Sequence, residues 1–347
     1  MPRLRRVDCS GPGIVRRRSG RGFVYFDEDG DRVTEPEVLD RIKALVLPPA
    51  WTDVWICPYP MGHIQATGTD AAGRRQYRYH DEWRLRRDQE KFDHMLDFGR
   101  ALPTLRAAIC SDLQQRGLSR TRVLACATRL LDLGFFRIGT EGYAEQNQTY
   151  GLATMRKRHV CLGDKDLITF DYRAKSGKRR VQSIVDPDVA KVVRSLKART
   201  TGGHELLAYK VGARWCDVKS SDINTYVKDV TGGDFSAKDF RTWNATVLAA
   251  VALAVSSEAV GSKTARKRAE TRAIKEVAHY LGNTPAVCRA SYIDPRVIDR
   301  YRAGVTVADD LHRLGDDTRF GQVSTQGAIE EAVLVLLEDA PAARLAA

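Results

Sequence analysis

The fold class is decided where strand-like sequence gives way to helical sequence, in the stretch Arg75-Gln76-Tyr77-Arg78-Tyr79-His80-Asp81-Glu82-Trp83-Arg84-Leu85. The first five residues are rich in aromatic side chains and close a series of short strand-like segments. From residue 82 to about 118, apolar residues recur instead at helical spacing, with a break expected at Pro103. The chain therefore divides into a β-rich N-terminal part and a larger, mainly helical part.

The N-terminal part is predicted to be a small domain of short strands. Residues 1–20 are rich in Arg, Gly, Ser and Pro, and we expect a flexible basic segment there. The pattern Thr34-Glu35-Pro36-Glu37 is a capping box with an early proline, and it predicts a short helix. Residues 21–88 form the predicted β-rich domain, whose strands are Gly22–Phe26, Val54–Cys57, His63–Thr67 and Arg75–Tyr79.

The rest of the chain is predicted to be mainly helical, with one β island at about 158–184 around the turn Lys175-Ser176-Gly177-Lys178. We expect a catalytic domain over 89–305 and an acidic helical tail over 306–347, with an apolar helix at Ala328–Leu337. The predicted fold class is α+β. The other predicted helices cover residues 120–133, 187–198, 220–229, 237–256, 264–281 and 295–303.

The basic charge of the chain is concentrated in its middle. The 347 residues carry a formal net charge of +12. Residues 1–90 contribute +2 and residues 304–347 contribute −5, so residues 91–303 carry +15. Such an excess favours a polyanionic partner, and the middle of the chain is the expected surface for it.

The seven cysteines are scattered, with no two closer than sixteen residues. This spacing argues against a disulfide framework and against a zinc ribbon, so we expect reduced thiols, no metal site and a cytoplasmic protein. The N-terminus lacks the apolar segment of a secretory signal. The longest apolar stretch, Val247–Val255, is too short to span a bilayer, so no membrane partner is expected.

Four separate blocks contain side chains that suit chemistry at phosphorus: Phe136-Arg137, Lys175-Ser176-Gly177, Lys238-Asp239-Phe240-Arg241, and the run from Asn283 to Tyr292. A tyrosine has a pKa near 10 and is a weak nucleophile until cations favour its ionised form. Guanidinium groups suit the non-bridging oxygens, because each donates two parallel hydrogen bonds. A lysine can protonate the leaving oxygen as a general acid.

These blocks, taken in order, resemble the small type IB DNA topoisomerases of the poxvirus-like bacterial kind. Phe135-Phe136-Arg137-Ile138-Gly139 is similar to the block of the first catalytic arginine, and Phe170 to Lys178 is similar to the β-hairpin block of the general-acid lysine, here Lys175. Lys238-Asp239-Phe240-Arg241-Thr242-Trp243 is similar to the block of the second arginine, and Tyr292 falls at the nucleophile. The resemblance covers roughly residues 20–305.

The resemblance implies an enzyme that relaxes supercoiled double-stranded DNA. Tyr292 would form a 3′-phosphotyrosyl intermediate while Lys175 protonates the 5′ oxygen, and Arg137, Arg241 and Asn283 would hold the non-bridging oxygens. The broken strand would swivel and then be rejoined. Neither ATP, nor a metal, nor another cofactor is required, because the phosphotyrosine conserves the bond energy. The implied enzyme is a monomer whose two domains form a clamp around the duplex.

The resemblance also implies DNA-binding residues outside the catalytic set. Gly73 to His80 is similar to the strand that enters the major groove, where Gln76 is suited to read adenine. Asn283 stands where the poxvirus enzymes have histidine, and Gly142 stands where they have lysine. An asparagine amide still donates a hydrogen bond, but it brings no charge. The implied DNA-binding set is Arg74, Arg75, Gln76, Tyr77, Tyr79, Tyr143 and Lys238.

Two other functions fit part of the sequence. A tyrosine recombinase shares the Arg, Lys, Arg and Tyr set, but its second arginine usually follows a histidine, whereas Lys238 holds that place here. Its N-terminal domain is also usually helical, unlike residues 20–80. A non-catalytic DNA-binding protein would explain the basic middle, but not the ordered blocks. Taken alone, Tyr292 is a half-buried packing residue and Asn283 is part of a helix C-terminal turn.

Overall fold

The computed structural model describes residues 3–257, 262–315 and 323–338. The chain divides into two compact units, Met1–Phe92 and Asp93–Ala347. The first unit holds one antiparallel sheet and a short helix, and the second is mainly helical with two small sheets. The prediction of an α+β chain is therefore confirmed. Within the described residues, no helix is long and apolar enough to cross a membrane.

The first unit is built on a five-stranded antiparallel sheet in the order β2-β1-β3-β4-β5, formed by β1 (Ile14–Ser19), β2 (Gly22–Phe26), β3 (Thr52–Ile56), β4 (Ile64–Thr69) and β5 (Arg75–Tyr79). The helix α1 (Pro36–Ala44) begins at a proline, as predicted, but its N-cap is Glu35 and makes no side-chain capping hydrogen bond, so the predicted capping box of Thr34 and Glu37 is not formed. The small core of this unit contains the buried residues Ile14, Val33, Ile42, Val54, Ile56 and Ala66.

The strand β1 corrects the expectation that residues 1–20 are flexible throughout. Ile14 is buried against the small core, and β1 pairs with both β2 and β3. Arg16 is also buried, where its guanidinium donates hydrogen bonds to the carbonyls of Pro48 and Trp51 at 3.1 and 2.7 Å. It also lies over the ring of Phe23, at 4.1 Å from the centroid. Tertiary partners therefore order a segment whose composition is typical of a flexible one.

The second unit has its helices packed around one large apolar core. The long helix α2 (Asp81–Leu113) continues from the first unit into the second, and Pro103 does not break it. That prediction was wrong because the neighbours Leu102 and Leu105 are buried in the core while Pro103 itself is exposed, so packing holds the helix together. The other helices are α3 (Arg120–Gly134), α4 (Glu141–Asn147), α5 (Pro187–Ala198), α6 (Ser220–Thr231), α7 (Ala237–Ser257), α8 (Lys263–Leu281), α9 (Pro285–Ser291), α10 (Pro295–Arg302) and α11 (Ala328–Glu338).

Two small sheets accompany these helices. The predicted β island is a three-stranded antiparallel sheet of β6 (Val160–Leu162), β7 (Leu167–Arg173) and β8 (Arg179–Val185), in that order. A 3-10 turn over Lys175–Gly177 joins β7 to β8. A second hairpin, of β9 (Ala208–Val211) and β10 (Arg214–Asp217), was not predicted.

The helix α11 is held by a buried charged network. Its residue Glu330 accepts hydrogen bonds from Arg106 on α2, at 2.5 and 2.9 Å, and from the indole Nε1 of Trp243 on α7, at 2.8 Å. The same arginine donates to Asp132 on α3 at 2.9 and 3.0 Å. Burial by itself would lower the pKa of Arg106, but Asp132 and Glu330 more than offset it and raise that pKa. One carboxylate of α11 therefore contacts α7, the helix of Arg241, and is connected to α3 through Arg106.

Candidate active site

Arg241 is the most buried cation of the predicted catalytic set. It lies in the second turn of α7, and its side chain points between the ends of two other helices. Its guanidinium donates to the carbonyl of Phe135, at the end of α3, and to the carbonyl of Leu281, at the end of α8, the latter at 2.9 Å. The Nε atom of Arg241 is buried and has no hydrogen-bond partner among the described residues. Two helix ends are thus joined by a cation that keeps one donor free.

Tyr292 is placed by the short helix α9. The hydroxyl of Thr284 caps that helix by accepting from the amide of Val287 at 3.3 Å, and Pro285 occupies the first helical position. Tyr292 follows the last helical residue, and its amide donates to the carbonyl of Cys288 at 3.0 Å. Its own carbonyl accepts from Thr246 of α7 at 3.3 Å. The tyrosine is therefore fixed to the same helix as Arg241.

The Tyr292 ring and the Arg241 guanidinium are direct neighbours, with 5.3 Å between the guanidinium carbon and the ring centroid. Burial would raise the pKa of the phenol, but the charges of Arg241 and Arg137 and the amide of Asn283 outweigh it and hold the pKa below its usual value of 10.0. In turn, burial and the charge of Arg137 lower the pKa of Arg241 to about 10. These neighbours therefore shift the Tyr292 phenol toward its ionised form.

Arg137 and Asn283 meet across the same space. The helix α3 ends at Phe135 in a left-handed conformation, with φ of 53°, and the buried Phe136 anchors the chain just before Arg137. The helix α8 ends at Gly282, also left-handed with φ of 63°, just before Asn283. Arg137 donates a hydrogen bond to the side-chain oxygen of Asn283.

The hydrogen bond from Arg137 fixes the orientation of the Asn283 amide. Because the oxygen accepts from Arg137, the Nδ2 group is the free end. That group is buried and makes no hydrogen bond of normal geometry with any described residue. It nevertheless lies near enough to Tyr292 to favour the ionised phenol. The asparagine therefore presents a donor, as an uncharged group can.

Lys175 lies on the exposed turn between β7 and β8. Its turn is tight, with left-handed conformations at Ser176 (φ of 65°) and Gly177 (φ of 71°). Lys175, Arg137 and Arg241 all line one cavity of about 580 Å³. Tyr292 and Asn283 do not line that cavity, and they join the site through their contacts with the two arginines. The structure thus brings the five predicted catalytic residues into one region.

Sequence reasoning missed one cation of the site, Arg180 on β8. Its Nη2 donates to the carbonyl of Tyr280 in the last turn of α8, and it lines the same cavity as Lys175. Burial lowers the pKa of Arg180, and the charge of Arg137 adds to that effect while Tyr172 opposes it. The signal available in the sequence was its position five residues after Lys175 on a strand with period-two burial.

The predicted DNA-binding strand β5 lies in the first unit. Tyr77 is 46% exposed and stacks against Tyr79, with ring centroids 6.1 Å apart. The turn before the strand is organised by Asp70, which accepts from Arg74 and, at 2.9 Å, from the side chain of Gln76. Hydrogen bonds from Arg74 lower the pKa of Asp70 to about 2. The carboxylate of Asp70 therefore already accepts hydrogen bonds from Arg74 and Gln76, two side chains that were predicted to contact DNA.

The remaining predicted contacts differ in their surroundings. Arg75 forms no ion pair within the described part of the chain; it donates weakly to the hydroxyl of Thr67, at 3.5 Å, and lies 6.0 Å from the ring centroid of Tyr77. Tyr143 on α4 is 40% exposed and lines a cavity of about 190 Å³ together with Arg137 and Lys175. Lys238 is exposed in the first turn of α7. Tyr143 is thus close to the catalytic set, and Arg75 is available to an anion.

The described residues contain no group of three or more His, Cys, Asp or Glu side chains arranged to hold a metal ion. The donors at the site are guanidinium, ammonium and amide groups, which suit an anionic ligand and not a cation. A phosphate group is the ligand whose charge and oxygens match them.

Two known protein families match separate parts of this chain. Residues 80–312 match the family described as "Eukaryotic DNA topoisomerase I, catalytic core", and residues 22–70 match "Bacterial DNA topoisomerase IB, N-terminal domain". The DNA topoisomerase 1B of Acanthamoeba polyphaga mimivirus is 31% identical over 300 residues, which cover 84% of this chain and 88% of that protein.

Shorter similarities extend to cellular enzymes. The DNA topoisomerase 1 of Daucus carota is 27% identical over 130 residues, which cover 37% of this chain and 15% of the relative. That of Candidozyma auris is 28% identical over 160 residues, which cover 46% and 20%. The resemblance inferred from the ordered blocks is confirmed, and the chain belongs to the type IB DNA topoisomerase family.

Proposed function

We propose that this enzyme relaxes supercoiled DNA by cutting one strand through a 3′-phosphotyrosyl intermediate and then rejoining it. The observation that carries the proposal is a pair of buried donors beside Tyr292. The Nε atom of Arg241 and the Nδ2 atom of Asn283 make no hydrogen bond of normal geometry in the described chain, and both side chains lie close to the Tyr292 hydroxyl. A buried donor without a partner costs about 1–3 kcal/mol. The non-bridging oxygens of a bound phosphodiester would supply both acceptors.

In the proposed first step, the phenolate oxygen of Tyr292 attacks the scissile phosphorus. A new bond forms between that oxygen and the phosphorus, and the bond from the phosphorus to the 5′ oxygen breaks. Arg137, Arg241 and Asn283 stabilise the charge that develops on the non-bridging oxygens. The proton of Tyr292 leaves to water beforehand, and the nearby guanidinium groups favour that loss.

Lys175 is the proposed general acid. The departing 5′ oxygen is strongly basic, so it needs a proton as the bond breaks. Lys175 borders the cavity that Arg137 and Arg241 also line, and no described side chain pairs with its ammonium group. It can therefore move on its turn to meet the leaving oxygen. After transfer, the 5′-hydroxyl strand is free to rotate.

Rejoining is the same step in reverse. The 5′-hydroxyl attacks the phosphotyrosine, and Tyr292 departs as the leaving group. The phosphotyrosine conserves the energy of the original bond, so the cycle requires neither ATP nor a metal ion. Rate acceleration then comes mainly from positioning and electrostatic stabilisation.

The proposal includes the DNA contacts predicted from the sequence. The duplex would be held by Arg74, Arg75, Gln76, Tyr77 and Tyr79 of the first unit, and by Tyr143 and Lys238 of the second. The two units would form a clamp around DNA as a monomer, in the cytoplasm and associated with the nucleoid. The formal charge of +15 on residues 91–303 supports a polyanion surface in the second unit.

The decisive experiment is plasmid relaxation with EDTA and without ATP, comparing the wild type with Tyr292→Phe. The wild type should relax a supercoiled plasmid that carries no special site, and detergent should trap a covalent adduct. Tyr292→Phe should bind DNA normally and show neither activity. Relaxation by the variant, or activity only between paired recombination sites, would refute the proposal.

A further inference from the structure

A continuous chain of hydrogen bonds joins three parts of the active site. Arg180 on β8 donates through Nη2 to the carbonyl of Tyr280, and through Nε to the side-chain oxygen of Gln182 at 2.7 Å. The amide nitrogen of Gln182 then donates to the carbonyl of Gly134 at 2.8 Å. This series of hydrogen bonds therefore connects the end of α8, through β8, to the end of α3.

Each point on this chain lies next to a proposed catalytic residue. Tyr280 is three residues before Asn283, and Gly134 is three residues before Arg137. Arg180 pairs across the sheet with Tyr172, on the strand that leads into the turn of Lys175. The chain of hydrogen bonds thus spans the hairpin and both of the loops that face it.

The guanidinium of Arg180 is costly to keep in this place. It is partly buried near the charge of Arg137, and its hydrogen-bond partners there are neutral groups. No carboxylate forms an ion pair with it in the described part of the chain. It also packs against Gly282, where an added Cβ would lie 2.8 Å from Nη1. The planar guanidinium of Arg180 offsets part of this cost, because it donates to Gln182 and to Tyr280 at fixed angles.

The two loops do not need Arg180 to stay together. Arg241 already joins them, because it donates to the carbonyls of Phe135 and Leu281. The hairpin has no such link through Arg241. Without Arg180 and Gln182, the hairpin would lose its side-chain hydrogen bonds to the two loops, while Phe136 would still pack against Phe170 and Tyr172 of β7.

We propose that Arg180, acting with Gln182, is a positioning residue that holds the Lys175 hairpin in register with the Arg137 and Asn283 loops. This inference rests on the proposed function, in which Lys175 protonates the leaving oxygen. Arg180 does not touch the phosphate in this proposal. Its loss should therefore impair proton transfer more than stabilisation of the non-bridging oxygens.

A change of leaving group separates these effects. A 5′-bridging sulfur leaves as a thiolate, with a thiol pKa of about 8.5, whereas an oxygen leaving group resembles water, with a pKa of about 15.7. The sulfur substrate therefore needs no general acid. Single-turnover cleavage is measured on matched oxygen and sulfur substrates at saturating enzyme.

Arg180→Lys keeps the charge but cannot bridge Gln182 and Tyr280 in the same geometry. We expect it to slow cleavage of the oxygen substrate by about 100-fold, the effect of a misplacement near 1 Å. On the sulfur substrate, the rate loss of the variant relative to the wild type should be at least about tenfold smaller. Its DNA affinity should stay within about twofold of the wild-type affinity. Gln182→Met, which removes the other half of the link, should show the same pattern if Arg180→Lys folds poorly. Arg179→Lys is the matched control, because Arg179 is exposed on the same strand and pairs with Asp171 at 2.6 Å.

Lys175→Ala distinguishes failure of this inference from failure of the mechanism. If sulfur rescues Lys175→Ala but neither Arg180→Lys nor Gln182→Met, the positioning role is wrong and the general acid stands. If sulfur does not rescue Lys175→Ala, both are wrong. Wild-type rates for Arg180→Lys and Gln182→Met on the oxygen substrate would also overturn the inference.

Discussion

The guanidinium of Arg241 lies 5.3 Å from the ring centroid of Tyr292, although Arg241 is only 4% exposed. A cation this deeply buried interacts strongly with a neighbouring phenol, because little water screens the pair. The pair therefore links the ionisation of the proposed nucleophile to the arginine that would hold the phosphate. The pH dependence of cleavage should report this link.

The first prediction concerns the pH dependence of cleavage. The pKa of Tyr292 is held below 10.0, so the fraction of phenolate, and with it the single-turnover cleavage rate, should rise with pH through a midpoint below pH 10. Arg241→Met removes the cation but leaves the tyrosine buried, so the midpoint should move to higher pH. The rate at neutral pH should also fall by about 10²–10³-fold. An unchanged or lower midpoint would contradict the assigned electrostatics.

The second prediction tests the uncharged group at position 283. Asn283→Asp keeps the oxygen that accepts from Arg137, but it replaces the buried donor Nδ2 with a carboxylate oxygen that repels phosphate. Cleavage should slow by about 10²–10³-fold. Asn283→His restores a donor and should retain more activity than Asn283→Asp, with a new dependence on the protonation of the imidazole. Equal rates for the two variants, measured in single turnovers, would show that position 283 donates nothing to the phosphate.

The third prediction separates two neighbouring arginines on the DNA-binding strand. Arg75 has no ion-pair partner in the described chain, whereas Arg74 is held by Asp70 at 2.8 Å. Arg75→Gln should therefore reduce the slope of log affinity against log salt concentration by about one. Arg74→Gln should change it less, because the free protein must first break the Asp70 contact. Titrations at several salt concentrations give both slopes, and the reverse order would count against this placement of free charge.

The fourth prediction concerns stability. Glu330→Gln leaves Arg106 facing an amide in place of a carboxylate inside a buried network. Because Asp132 still pairs with Arg106, the loss of this one carboxylate should lower the free energy of unfolding by about 1–3 kcal/mol. Glu331→Gln is the control on the next residue, with a side chain 75% exposed, and it should change stability by less than about 0.5 kcal/mol. Urea unfolding followed by tryptophan fluorescence compares them, and similar losses for both would argue against a structural role for the network.

The sequence was most informative where local pattern and tertiary structure agree. The strands Gly22–Phe26 and Arg75–Tyr79 and the helices predicted after residue 186 match their positions closely, whereas the short helix α9 (Pro285–Ser291) was not predicted. The segment with β1 was assigned as flexible because its arginines suggest a solvated chain. The sequence could not show that Arg16 finds two backbone carbonyls and an aromatic ring in the fold.

The candidate site shows the same limit. The order of the blocks was enough to name Arg137, Lys175, Arg241, Asn283 and Tyr292 before their proximity was known. Arg180 was missed because its partners are a backbone carbonyl one hundred residues away in sequence and a glutamine on its own strand. Neither partner has a local sequence signature, so only the assembled fold reveals the contact.

The position of Glu330 near the end of the chain also bears on how the enzyme is made. All five proposed catalytic residues are synthesised before Glu330, but the helix that carries Arg241 also carries Trp243, whose indole nitrogen donates to that carboxylate. During translation, the ribosome must therefore add nearly forty further residues after Tyr292 before this buried contact can form. A nascent chain that already contains the proposed nucleophile still lacks part of the packing around Arg241. The synthesis of α11 is therefore a precondition for a fully packed candidate site.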